Sequence, residues 1–235
     1  MVRIGAFEVR QATIADLERI VELDQLFGSA ALTRDYFEAW LCHHPEGLLV
    51  ASYNGRLCAY SMVINLSREQ IRENWLLDTG GGTCATHTPL GDTLYAVSIA
   101  SQKQEAARAL FIMNRRLFAR SHLAQAVIYG RLPRFRQWVQ QMGYEPDRVS
   151  TETKKWLLGL YVNTLHDPYQ VFYEGMNLTP EYGVVDYLEG DEESLNCALK
   201  LVWHNPCYRP LPLDRAVVRV EVATSLQSPS LSARQ

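Results

Sequence analysis

The chain has 235 residues, 47% of them hydrophobic, and its 23 basic and 26 acidic side chains give a formal charge of -3. That apolar content excludes general disorder and suffices for a sizeable core, while the slight acidic balance leaves no basic surplus for wrapping a nucleic-acid backbone. No stretch approaches the roughly 20 apolar residues that span a bilayer, and Met1-Val2-Arg3-Ile4-Gly5 lacks the apolar run of a signal peptide. Neither nucleic acid nor membrane is expected as a partner, and the cytoplasm is the expected compartment. Cys42, Cys58, Cys84, Cys197 and Cys207 are scattered, with no metal-ligand spacing, so reduced thiols and no metal are expected.

Phe7-Glu8-Val9-Arg10 alternates as a strand, and Thr13 with Asp16 three residues later is the signature of a capped helix start. Ile14, Leu17, Ile20 and Val21 recur at helical spacing and are expected to face a core, while Phe37, Trp40 and Leu41 mark a second helix that stops before Pro45. The runs 47–53 and 57–64 flank Asn54-Gly55, the pair that accepts positive φ most cheaply, and predict a hairpin. Residues 67–92 are polar and include Gly80-Gly81-Gly82; so long a connection is expected to be a mobile loop near function, and without a following Gly-Lys-Ser/Thr it is no nucleotide P-loop. A strand over Thr93–Ile99 feeds a helix with Leu110, Met113 and Leu117 on one face, and a shorter strand, Ala126–Tyr129, ends at Gly130-Arg131. Residues 132–166 read as a helical insert before the helix opened by Asp167-Pro168, where the N–H that Pro lacks is not needed. Tyr182–Tyr187 and Leu195–Trp203 form an expected antiparallel pair joined by the acidic turn Glu189–Glu193. One domain over 1–208 is expected, followed by a 209–235 extension that is disordered after about residue 224.

The passage from the strand into the helix at Gln104 is suited to a pyrophosphate. A helix N-terminus presents unpaired N–H groups and partial positive charge, so small residues there let phosphates approach the backbone. Gln104, Glu105, Ala106, Ala107, Arg108 and Ala109 are the candidates, the three alanines leaving the room.

Gln104-x-x-Ala107-x-Ala109 resembles the Q/R-x-x-G-x-G/A signature of the GNAT acyltransferases, in which this turn holds acyl-coenzyme A, with alanine here for glycine. Phe172-Tyr173-Glu174-Gly175-Met176-Asn177-Leu178 resembles that family's F-Y-E-x-x-G-F, with Asn177 for the glycine and Leu178 for the phenylalanine. In the same order Thr86–Tyr95, Gly130–Phe135, Asp167-Pro168, Asp191-x-x-Ser194 and Trp203-x-Asn205-Pro206 resemble a subgroup of GNAT domains. That subgroup includes domains fused to carbon–nitrogen hydrolases and GNAT-like loading domains of polyketide synthases, and the resemblance runs from about Phe7 to Pro206. It implies an α/β fold with a mixed, mostly antiparallel sheet flanked by helices, parallel where the central strand and its successor splay to admit a pantetheine arm.

The same resemblance implies transfer of an acyl group, with acetyl-CoA first among acyl-CoA donors, by direct attack of an amine. Tyr173 would be the general acid that reprotonates the departing thiolate, and the backbone N–H of Val97 or Ile99 would stabilise the oxyanion. The alternatives are S-acyl transfer to the phosphopantetheine thiol of an acyl-carrier protein, and a non-catalytic fold that binds acyl-CoA or a protein. Decarboxylating loading domains carry histidine at the place of Tyr173, threonine near the end of the preceding strand, and arginine after the tyrosine matching Tyr187. Here Tyr173, Gly130 and Leu188 stand there, which disfavours decarboxylation. His87 and Asp92, just before the central strand, are the candidate bases, against a solvated loop and a turn cap. Arg131, Arg134 and Arg136 with Trp138 are weighed as a grip on an anionic acceptor or carrier protein, His43-His44 as a helix end, and Ser98 as lacking a Ser-His-Asp set. A small-molecule amine or acyl-carrier protein is thus the expected partner, with a homodimer as a further candidate.

Overall fold

The computed structural model describes residues 1–119, 123–165 and 167–209, so the expected tail beyond 209 lies outside the described residues. Strands β1 (Val2–Ile4), β2 (Phe7–Gln11), β3 (Leu48–Tyr53), β4 (Arg56–Leu66), β5 (Thr93–Ser101), β6 (Gln125–Arg131), β7 (Thr179–Val184) and β8 (Ala198–His204) form one sheet in the order β1-β2-β3-β4-β5-β6-β8-β7. Neighbours are antiparallel except β5 and β6, which run parallel. This is the mixed, mostly antiparallel sheet expected. The β3–β4 turn places Asn54 at φ 50° and Gly55 at φ 76°, the pair of left-handed residues that a tight hairpin matched to strand twist requires. Strand β1 is only three residues long, too short for an alternating pattern to show.

Helices α1 (Leu17–Asp24) and α2 (Arg34–His43) cover one face of the sheet, where Leu17, Ile20, Phe37 and Trp40 pack with Val50, Tyr60, Met62 and Ile64. Each fully buried large apolar side chain of this kind contributes about 1.5–3 kcal/mol. Ile14, expected in that core, is exposed; it lies in a 3-10 turn ahead of α1, where the 3.6-residue spacing does not hold. The Thr13 amide and hydroxyl both donate to Asp16, 2.8 and 2.9 Å, and the Arg10 guanidinium beside it lowers that carboxyl to about 2.

The connection from β4 to β5 is not the open loop expected. It contains α3 (Trp75–Asp78) and is tied down both over long range, the Trp40 indole N–H donating to the Gly82 carbonyl at 2.7 Å, and within itself, the Arg72 amide donating to Asp78 at 2.6 Å. Gly82, at φ +82°, lies against the Tyr36 ring, where a Cβ would come within 2.5 Å of a ring carbon.

On the other face α4 (Gln104–Ala119) lies against Phe7, Val9, Leu49 and Ala51, which alternate with the residues of the first face. The insert supplies α5 (Phe135–Gln141) and α6 (Thr151–Thr164), followed by α7 (Pro168–Glu174). The closing pair is shifted from its expected bounds because Asp186, Leu195 and Asn196 all have positive φ, which ends β7 early and delays β8. Among the described residues no helix is long and apolar enough to cross a membrane.

Candidate active site

A cleft opens where β5 leaves its neighbours. β5 and β6 pair only at Thr93 with Gln125, Leu94 with Ala126 and Tyr95 with Val127. On the other edge Met62 faces Ser98 and Val63 faces Ala96, so Val97 is an extra residue in the ladder. Such a bulge bends its strand and re-aims the groups around it. Trp75 fixes the bulge by donating its indole N–H to the Val97 carbonyl at 3.0 Å. The cleft has a volume of about 390 Å³; Val97, Ser98 and Ile99 line it from β5, Arg131 from β6, Gln104 and Ala107 from α4, and Tyr169, Phe172 and Tyr173 from α7.

The sequence of α7 explains why Tyr173 faces this space. Asp167 caps the helix, accepting from the Tyr169 amide at 3.0 Å and from the Tyr161 hydroxyl at 2.9 Å, with Pro168 at the first helical position. At the other end Asn177 has φ 62°, the left-handed conformation that asparagine tolerates almost as well as the glycine it replaces in the motif. The Tyr173 ring lies edge-on to Phe111 and Phe172, with centroids 5.7 and 5.5 Å away. Burial pushes its phenol well above the usual range. A Cβ at Gly130 would come within 2.8 Å of the Tyr173 ring, so the glycine at the end of β6 and the tyrosine of α7 form a steric pair. Gly130→Ala is expected to cost about 1–3 kcal/mol by overpacking, and to cost much less when introduced into Tyr173→Ala, a variant already destabilised by loss of the buried ring. Urea denaturation of the two single variants and the double variant measures this coupling.

No family model matches the chain. Two curated proteins of Bacillus subtilis (strain 168) are similar to it: the probable hydrolase YhcX, 23% identical over 221 residues, and the uncharacterized N-acetyltransferase YkwB, 24% identical over 219. Each match takes in 88% of this chain, but the chain spans only 40% of the length of YhcX, against 92% of YkwB. Among solved structures, the loading GNATL domain of CurA from Lyngbya majuscula superposes with a TM-score of 0.65 at 13% identity over 84% of this chain and 97% of that one. The GphF GNAT-like decarboxylase in complex with isobutyryl-CoA gives 0.68, also at 13%, over 84% and 98%. The chain has the GNAT fold.

Within this GNAT fold the expected coenzyme residues divide into three groups. Val97, Ile99, Gln104 and Ala107 line the cleft. Ala106 and Ala109 are buried against the sheet instead, so their small size serves close helix packing, while Glu105 and Arg108 are exposed. The Lys103 carbonyl accepts from the Ala106 and Ala107 amides at 3.0 and 3.2 Å, so the amides still facing outward at the helix start are those of Gln104 and Glu105.

The two candidate bases are placed apart from the cleft lining. His87 and Asp92 lie at the closed end of β5 and do not line the cleft. His87 Nδ1 accepts from the Asn65 amide at 3.1 Å, and its ring stacks on His44 at 3.8 Å; burial, with His44 adding to it, lowers its imidazole to about 4. Asp92 accepts from the Arg68 amide and the Thr93 hydroxyl, as a turn cap does.

What sequence reasoning missed is a buried chain of hydrogen-bonded side chains. Asp24, fully buried at the end of α1, accepts from the Tyr60 hydroxyl and the Leu32 amide, and Tyr60 Oη lies 2.9 Å from Ser98 Oγ at the cleft wall. Burial raises the proton affinity of Asp24. With the Tyr60 proton directed at Asp24, Ser98 donates to Tyr60, giving an unbroken hydroxyl path from the cleft to a carboxylate. Arg131 is the other polar wall, held by fully buried Asp191 through Nε at 2.7 Å and through Nη2. Arg134 and Arg136 do not line the cleft, and Arg136 pairs with Asp147 at 2.6 Å.

Proposed function

We propose that the protein is an acyl-CoA-dependent acyltransferase that passes an acyl group, acetyl among them, to an amine by direct attack, with Tyr173 as general acid. The observation that carries this reading is that Tyr173, the Val97 bulge and the start of α4 border one cleft between splayed strands. The pantetheine arm would lie in the splay, its pyrophosphate at the Gln104 turn and its thioester carbonyl toward the N–H of Val97 or Ile99. An attacking amine would lose its proton to Ser98 as the Ser98 proton moves to Tyr60 and the Tyr60 proton to Asp24. Collapse of the tetrahedral intermediate would then expel thiolate, which takes the Tyr173 proton. The desolvation that raises the phenol also raises the basicity of a thiolate formed beside it, so the two stay matched.

Isothermal titration with acetyl-CoA tests the reading. Binding is expected, and Gln104→Glu is expected to weaken it about fivefold, since one added negative charge near a phosphate in partly solvated surroundings costs about 1 kcal/mol. Absence of heat with the parent protein overturns it. A carrier-protein phosphopantetheine as acceptor or donor is the second reading, favoured by the packing of Ala106 and Ala109 into the sheet rather than into a phosphate cradle; it expects acetyl-pantetheine to bind as tightly as acetyl-CoA.

A further inference from the structure

We infer that a second, apolar cavity on the α4 side of the sheet receives the acyl chain, so that the donors favoured are thioesters of roughly four to six carbons rather than acetyl alone; this rests on the acyl-CoA reading above. The cavity measures about 70 Å³ and shares Ala96, Ser98, Ile99 and Ile128 with the cleft. Since about 10–15 Å³ of such volume holds one water, the space takes roughly five waters or a short hydrocarbon chain.

Its position fits the stub that a thioester leaves. The Val97 bulge lies between Ala96 and Ser98, both of which border both spaces, so a carbonyl held at the bulge sits at the junction. From that carbon the sulfur and pantetheine run toward Gln104, and the acyl chain must leave another way. The floor is kept open by Ala96 and Ala126, which have no atoms beyond Cβ. Ala126 stands in register between Leu94 and Trp203, whose larger side chains border the same space. Phe111 and Leu178 add apolar wall, and the Arg115 guanidinium lies 4.6 Å over the Trp203 ring. Among the described residues no carboxylate lines the cavity, so nothing described there favours a cationic occupant, and interiors otherwise fill such apolar gaps with side chains.

Titration of the full chain with CoA, acetyl-CoA, butyryl-CoA and hexanoyl-CoA tests the inference. Each added methylene is expected to tighten binding about fourfold until the cavity is full. Ala126→Phe, which fills the space from β6 away from the cleft, is expected to abolish the chain-length dependence while leaving CoA affinity unchanged. Trp203→Ala is expected to shift the preference to longer chains. Butyryl-CoA and hexanoyl-CoA binding no tighter than acetyl-CoA overturns the inference while the acyl-CoA reading stands, as does Ala126→Phe weakening CoA and every thioester alike. Failure of CoA itself and of every thioester to bind the parent overturns the acyl-CoA reading, and this inference with it.

Discussion

Tyr173→Phe is expected to lower the rate of CoA release from acetyl-CoA, assayed with a panel of small amines, by about 100-fold while changing acetyl-CoA affinity by less than about twofold. Removing a general acid costs 10²–10⁴ in rate, and the loss falls on kcat because the proton is needed only as the thiolate departs. The variant keeps the ring between Phe111 and Phe172, so the effect reports the hydroxyl rather than packing. A pH profile provides an independent check. Burial raises the phenol above its ordinary value near 10, so it remains protonated throughout the neutral range, and Tyr173 contributes no falling alkaline limb to kcat below about pH 10. An unchanged rate in Tyr173→Phe removes the residue from the mechanism. Ser98→Ala in the same assay addresses the other proton: it interrupts the path to Asp24 and is expected to lower kcat with the thioester affinity retained.

The parts legible in the sequence are those fixed by short-range patterns. The Asn54-Gly55 turn, the helix opened by Asp167-Pro168 and the alternating strands each rest on the conformational preferences of a few adjacent residues. Asn177 was visible as a departure from a motif, and its positive φ supplies the reason the departure is tolerated. The parts that were not legible depend on contacts between distant positions. The folded state of residues 67–92 depends on Trp40 reaching Gly82 and on Trp75 reaching Val97, and no local pattern announces either. His87 and Asp92 looked close to the site because they are close in sequence to β5. An extended strand rises about 3.3 Å per residue, however, so five residues set Asp92 about 16 Å from the bulge. Asp24, Tyr60 and Ser98 come from α1, β4 and β5, and only the fold brings them together. The Asp191-x-x-Ser194 motif, legible as a resemblance, proves structural: Asp191 holds Arg131, and the Ser194 hydroxyl accepts from the Leu132 amide at 3.0 Å.

That anchoring sets the second large expectation. Arg131→Met is expected to destabilise the protein by about 3–5 kcal/mol in urea denaturation, because it leaves a buried carboxylate without its cation. The Asp191 side chain is 0% exposed and that of Arg131 12%, so solvent cannot replace the lost partner as it does for a surface pair, whose loss costs about 0–1 kcal/mol. Asp191→Leu combined with Arg131→Met removes both charges and is expected to recover most of the loss, since a buried pair exchanged for apolar side chains is often neutral. The functional consequence follows from position. Arg131 ends β6 one residue after Gly130 and forms a wall of the cleft, so the pair with Asp191 ties that wall to the turn between β7 and β8. The double variant is therefore expected to regain stability without regaining full turnover, because the guanidinium beside Tyr173, which favours the phenolate and so eases proton release, is not restored. A loss below about 1 kcal/mol in Arg131→Met would show that the pair behaves as a solvated bridge and that the acidic turn contributes nothing to holding the cleft open.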